Sequence, residues 1–166
     1  MKTFMKTFRE ILGKPSSALQ AMVDGLREYS GRKDFVVDMG SYGHVEGGIC
    51  YGCAATCAVQ KTLGLDYLSV GYSYPRSSKD LGSEQLLGVD SRDLCAFETA
   101  IDQARKGDLW ELMGYFNVDS DVLDSVMLVD RSCTTKWDRR FDLEDNWREQ
   151  LGVVEAVISE MKVLGL

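Results

Sequence analysis

Three of the chain's five cysteines, Cys50, Cys53 and Cys57, lie within one stretch of eight residues. They follow the glycines Gly47 and Gly48 and lead into small residues that are typical of the start of a helix. Thiols this close together can ligate a metal ion, attack a substrate as thiolates, or pack as small apolar side chains. The spacing alone leaves these three alternatives open.

A metal site is limited by helix geometry. A continuous helix over residues 50–62 would place all three cysteines on one face, within about 60° of one another. Cys50 and Cys57 would then lie about 10.5 Å apart along the axis, too far for both to reach one zinc ion with Zn–S bonds of about 2.3 Å. A zinc-binding module would therefore use part of the cluster Cys50, Cys53 and Cys57, with His44, Cys95 or Cys133 as a further ligand, or would need Cys50 to lie in the preceding loop.

A reactive thiol is the second alternative, and Cys50 is the candidate. A cysteine at a helix N-terminus meets the positive end of the helix dipole and free N–H groups, which favour the thiolate. The sequence Gly48-Ile49-Cys50-Tyr51, with small residues after it, resembles the cysteine-bearing helix of papain-like and transglutaminase-like hydrolases. That resemblance implies a thiol hydrolase with a histidine downstream of the cysteine, whereas the only histidine here, His44, lies upstream.

A dithiol is a further possibility, because thioredoxin-like proteins place Cys-x-x-Cys at a helix start, after a buried strand. Cys50 and Cys53 have that spacing, but residues 45–49 read as a poor strand.

Packing is the interpretation we favour for the cysteine cluster. Cysteine is among the most buried residue types, and Ala54, Ala55 and Ala58 beside the thiols would give a narrow helix. A narrow helix allows a neighbouring helix to approach closely. We therefore expect the three cysteines to lie buried on one helix, with no catalytic residue, no cofactor and no bound metal.

Composition sets the class of molecule. The chain has 166 residues, of which 45% are apolar and 27% charged, as expected for one soluble globular domain over residues 1–166. No apolar run approaches the ~18–20 residues that span a bilayer. No secretory signal is evident, and an odd number of cysteines fits a reducing cytoplasm. A net charge of −7 argues against nucleic acid as a partner and allows a cationic protein partner.

Hydrophobic periodicity predicts a mainly α (α+β) fold of about five to six helices. A minor β component is expected near residues 35–39 and 66–74. Residues 1–14 predict a basic, amphipathic docking helix, and residues 75–90 a mobile surface loop. The clearest helix is the last one, whose apolar residues recur at spacings of three and four: Trp147, Leu151, Val154, Ile158 and Met161.

A contact patch is the remaining candidate site. Tyr67, Tyr72, Tyr74 and Arg76 are residue types enriched where proteins bind proteins. With no nucleotide motif and a single histidine, the sequence favours a small acidic cytoplasmic protein that acts by protein–protein binding, as a regulator, adaptor or inhibitor. The oligomeric state does not follow from the sequence.

Overall fold

The computed structural model of the protein describes residues 6–41, 43–64, 88–128 and 134–166. The helices in these residues are α1 (Phe8–Leu12), α2 (Pro15–Ser30), α3 (Ala54–Leu63), α4 (Ser91–Arg105), α5 (Trp110–Tyr115), α6 (Ser120–Val126) and α7 (Trp147–Val163). The strands are β1 (Phe35–Val37), β2 (His44–Glu46) and β3 (Ile49–Gly52). The mainly α (α+β) class is confirmed, with one described helix more than the predicted range allowed.

The three strands form one small sheet in the order β1-β3-β2. β1 runs parallel to β3, and β2 pairs antiparallel with β3 through a two-residue turn. Gly47 and Gly48 form that turn with φ of 59° and 78°, the positive values that a type I′ hairpin turn requires at both positions. The predicted strand near residues 35–39 is confirmed, whereas the one at 66–74 lies outside the described residues.

The helix predicted over residues 50–62 is wrong at its start. Residues 49–52 belong to β3, and α3 begins only at Ala54. Gly52 ends the strand at a point where no side chain fits: a Cβ there would lie 2.7 Å from Cγ2 of Thr56. The chain therefore turns directly from the sheet into α3, and this turn divides the cysteine cluster between two elements.

Packing of α2 against α3 forms the centre of the core. The two helices approach closely at Gly25, where an added Cβ would lie 2.5 Å from the backbone oxygen of Cys57. α7 packs on α2 and buries the predicted stripe, including Leu151, Val154 and Ile158. The core thus combines the longest helices with the inner face of the sheet.

The N-terminal helix docks on the same core. Phe8 of α1 is fully buried and stacks on Phe97 of α4, with ring centroids 4.3 Å apart. Residues 1–5 and 75–87 lie outside the described part, so the predicted docking helix is seen only as α1. At the end of the predicted loop 75–90, Val89 is buried and Asp90 caps α4.

Candidate functional site: a buried thiol cluster and an exposed sheet edge

The three clustered cysteines occupy three different structural positions. Cys50 lies in β3, Cys53 is the N-cap of α3, and Cys57 lies one turn into α3. Each is at most 2% exposed. The expected burial is confirmed, but the common helix is wrong because the backbone is still extended at Cys50. Cys50 therefore lacks the helix N-terminus on which its predicted activation depended.

Cys53 takes the helix N-terminus that the sequence assigned to Cys50. Its N–H donates to Thr56 Oγ1 at 3.2 Å, and its Sγ lies 3.6 Å from the same oxygen. Burial raises the pKa of Cys53 above its ordinary value, because desolvation outweighs the hydrogen bonds that Sγ receives from the backbone N–H and the hydroxyl of Thr56. Burial also raises the pKa of Cys57 well above its ordinary value, with further increases from Cys53 and Cys50. Both thiols are protonated near neutral pH.

His44 lies on the opposite face of the sheet from Cys50. In the hairpin, His44 is paired with Tyr51, and Cys50 is paired with Val45. Successive residues of a strand point to opposite faces, so the imidazole and the Cys50 thiol project to different sides. The imidazole lies instead 2.9 Å from Ser41 Oγ, measured from Nδ1, and stacks on Tyr51.

The structure does not bring together the residues of the conditional site assignments. Cys50 and His44 cannot act as a nucleophile and its base, because the sheet separates them. The conditional metal set Cys50, Cys53, Cys57 and His44 fails for the same reason. Within the described residues, no three histidine, cysteine, aspartate or glutamate side chains are grouped so as to hold a metal ion.

The outer sheet face consists of Val36, His44 and Tyr51, one residue from each strand in a single register row. Val36 is 42% exposed, and His44 and Tyr51 are half-buried. Glu46 lies on the same face, with an oxygen 3.8 Å from Nε2 of His44. An apolar and aromatic surface therefore covers the side of the sheet that faces away from the thiols.

A cleft of about 390 Å³ adjoins this face, between β1 and the start of α7. We call it the acidic cleft. Its lining includes the carboxylates Asp38, Glu144 and Asp145, together with the guanidinium of Arg148. Glu144 accepts a hydrogen bond from Arg105 at 2.9 Å, so the excess negative charge lies at Asp38 and Asp145.

The edge of β1 borders the same cleft. The N–H of Asp38 donates to Gly52, and the C=O of Asp34 accepts from Cys50, at 2.9 and 2.8 Å. Backbone groups alternate in direction along a strand, so Phe35 and Val37 turn theirs away from β3. Among the described strands, β1 is the last on that side of the sheet, and no backbone hydrogen bond links Val37 to another described residue on that side.

A second cleft, of about 650 Å³, lies between α4 and α5 and is lined by Cys95, Trp110 and Gly114, with Arg9 at one side. Cys95 is exposed, unlike the clustered thiols. Partial burial, followed by the nearby carboxylate of Glu98, raises its pKa.

The predicted contact patch Tyr67, Tyr72, Tyr74 and Arg76 lies outside the described residues and stays a prediction. The outer sheet face was not predicted from the sequence. The signal that could have located it is the pair Gly47 and Gly48 between two short apolar segments, since Gly-Gly is a frequent hairpin turn.

In the described part of the chain, no helix is both long and apolar enough to cross a bilayer.

Comparisons with known proteins add no relative to this description. The chain matches no family model, and searches of curated proteins and of solved structures return no match. The functional argument therefore depends on the geometry of the molecule alone.

Proposed function

We propose that this protein acts by binding another protein, as a regulator, adaptor or inhibitor, and performs no catalytic step. The observation that carries the proposal is the outer sheet face, where Val36 is 42% exposed beside the half-buried Tyr51. Tyrosine surrounded by apolar and polar side chains is typical of surfaces that bind proteins. A cytoplasmic location and the lack of a nucleic-acid partner stay predictions from cysteine content and net charge.

The chemistry of the interior supports the same proposal. A thiol enzyme needs an accessible thiolate and a base within hydrogen-bonding reach. The clustered thiols are buried, the pKa values of Cys53 and Cys57 are raised, and His44 projects from the other face of the sheet. The residues that looked most reactive in the sequence therefore stabilise the core instead.

Affinity capture with cross-linking and mass spectrometry in the native host tests this function. The wild-type chain should enrich a defined protein, and Val36→Asp should lose it because a charge replaces the apolar centre of the surface. Val163→Asp is the matched control, since Val163 of α7 is 85% exposed and distant in sequence from the sheet. Failure of the wild type to enrich any protein above an unrelated bait would reject the proposal.

A further inference from the structure

We propose that the partner contributes a basic, extended segment that adds as a fourth strand along the edge of β1 that no other described strand occupies. This segment would place lysine or arginine side chains against the acidic cleft. The basic strand refines the protein-binding function proposed above and rests on it.

Backbone hydrogen bonding supplies the first argument. Val37 directs its N–H and C=O groups away from β3, which leaves two backbone groups for an added strand within the described structure; Phe35 has the same orientation but is only 6% exposed. An exposed strand edge of this kind is a template for pairing with an extended peptide. β1 has only three residues, so backbone pairing alone gives a weak interaction and the side chains must supplement it.

Charge complementarity supplies the second argument. Asp38 directly follows β1, and Asp145 lies across the acidic cleft from it. Both carboxylates are exposed, and the single guanidinium in the lining, that of Arg148, lies 4.5 Å from the ring centroid of Trp147. The cleft therefore favours a cation, and the chain's net charge of −7 attracts a basic segment from a distance.

Side-chain alternation links the two arguments. In an added strand, every second side chain would lie on the face that carries Val36 and Tyr51. The intervening side chains would point to the opposite face. The acidic cleft is lined by Val36 and Tyr51 as well as by Asp38 and Asp145. Basic residues at every second position can therefore lie on this face beside the carboxylates, whereas acidic residues at those positions would be repelled.

The experiment uses a fluorescein-labelled hexapeptide of alternating lysine and valine, titrated against the full chain by fluorescence anisotropy at low salt. We expect saturable binding, with backbone amide shifts in NMR spectra centred on Val36, Val37 and Asp38. A hexapeptide of alternating glutamate and valine is the probe control and should not bind. Equal binding of both peptides would overturn the proposal, as would shifts confined to other elements.

Two changes separate backbone pairing from charge. Methylation of alternate amides of the lysine–valine peptide should weaken binding about ten-fold or more, because it removes the donors of an added strand. Asp38→Asn and Asp145→Asn should each weaken it about two- to five-fold, whereas Asp124→Asn on the exposed surface of α6 should have no effect. Strand addition is contradicted if methylation leaves the affinity of the peptide unchanged, or if all three aspartate variants change that affinity equally.

A second copy of the chain is the competing occupant of this edge. We expect the wild-type chain to sediment without self-association through this edge. Self-association of the wild type that Val37→Pro abolishes would show that the edge pairs with a second copy, and the proposal of a basic partner would then be wrong. The outcomes also separate this inference from the proposed function. If a host protein is captured in a Val36-dependent way but the lysine–valine peptide does not bind, only the basic strand is rejected. If neither capture nor peptide binding is observed, the proposed function is rejected as well.

Discussion

Cys50 and Tyr51 are neighbours on β3, yet they belong to two different regions of the molecule. Cys50 faces inward, where it joins Cys53 and Cys57 against the seam between α2 and α3. Tyr51 faces outward, between His44 and Val36. The inner region holds the groups with the greater intrinsic reactivity, but burial keeps all three thiols out of reach and raises the pKa values of Cys53 and Cys57. The outer region holds ordinary apolar and aromatic groups that are accessible to a partner, so accessibility is what distinguishes the two regions.

The largest effect should come from the interior of α7. Ile158→Ala should destabilise the protein by roughly 2–5 kcal/mol, because it loses transfer free energy and leaves a cavity. Val163 lies on the same helix but is 85% exposed, so Val163→Ala should stay within about 0.5 kcal/mol. Urea denaturation of both variants gives the comparison, and similar costs for the two would mean that α7 is peripheral.

A similar contrast should separate two helical glycines. Gly25→Ala should cost about 1–3 kcal/mol, because its Cβ would overlap the backbone of Cys57 and force α2 and α3 apart. Gly152→Ala in α7 meets no atom within 4 Å and should stabilise by up to about 1 kcal/mol through helix propensity. Thermal unfolding should show a lower midpoint temperature for Gly25→Ala and a higher one for Gly152→Ala than for wild type. If Gly25→Ala does not change the midpoint, the close contact between α2 and α3 lies elsewhere.

Alkaline pH should weaken the inner region selectively. The raised pKa of Cys57 in the folded state means that its contribution is complete below its ordinary value of 9.0 and declines as the pH rises above that value. The decline is at most about 1.4 kcal/mol per pH unit for one thiol. Urea midpoints under reducing conditions at pH 7.5 and about 10 should therefore differ less in Cys57→Ala than in wild type. Cys95→Ala is the control at an exposed position, and it should change this difference between the two urea midpoints less. If Cys57→Ala shows the same difference between the midpoints as wild type, Cys57 is accessible.

The smallest effect on folding should come from the outer sheet face. Val36→Thr keeps the β-branched shape and adds a hydroxyl at a position that is 42% exposed, so the free energy of unfolding should change by no more than about 0.5 kcal/mol. Chemical denaturation measures it. A loss above about 1 kcal/mol would show that this face is covered within the chain, which would remove the basis of the proposed function.

The sequence predicted α7 and β1 but assigned Cys50 to the wrong element, for physical reasons. α7 repeats its apolar spacing over seventeen residues, so one pattern identifies both the helix and its buried face. Strand β3 has four residues, too few to separate a strand from the start of a helix by periodicity. The candidate site was harder still, because it also depends on the parallel register of β1 on β3, which no local pattern specifies; the Gly47-Gly48 turn fixes only the register of β2 on β3.

Alkylation of the native protein tests the contrast between the two faces of β3 most directly. The chain is treated with iodoacetamide near neutral pH and each thiol is followed by peptide mass spectrometry. Cys95 should be modified readily, since it is exposed, whereas Cys50, Cys53 and Cys57 should react only after denaturant unfolds the protein. Rapid and selective alkylation of Cys50 in the folded chain would contradict the account and restore a thiol-dependent enzyme as the leading function.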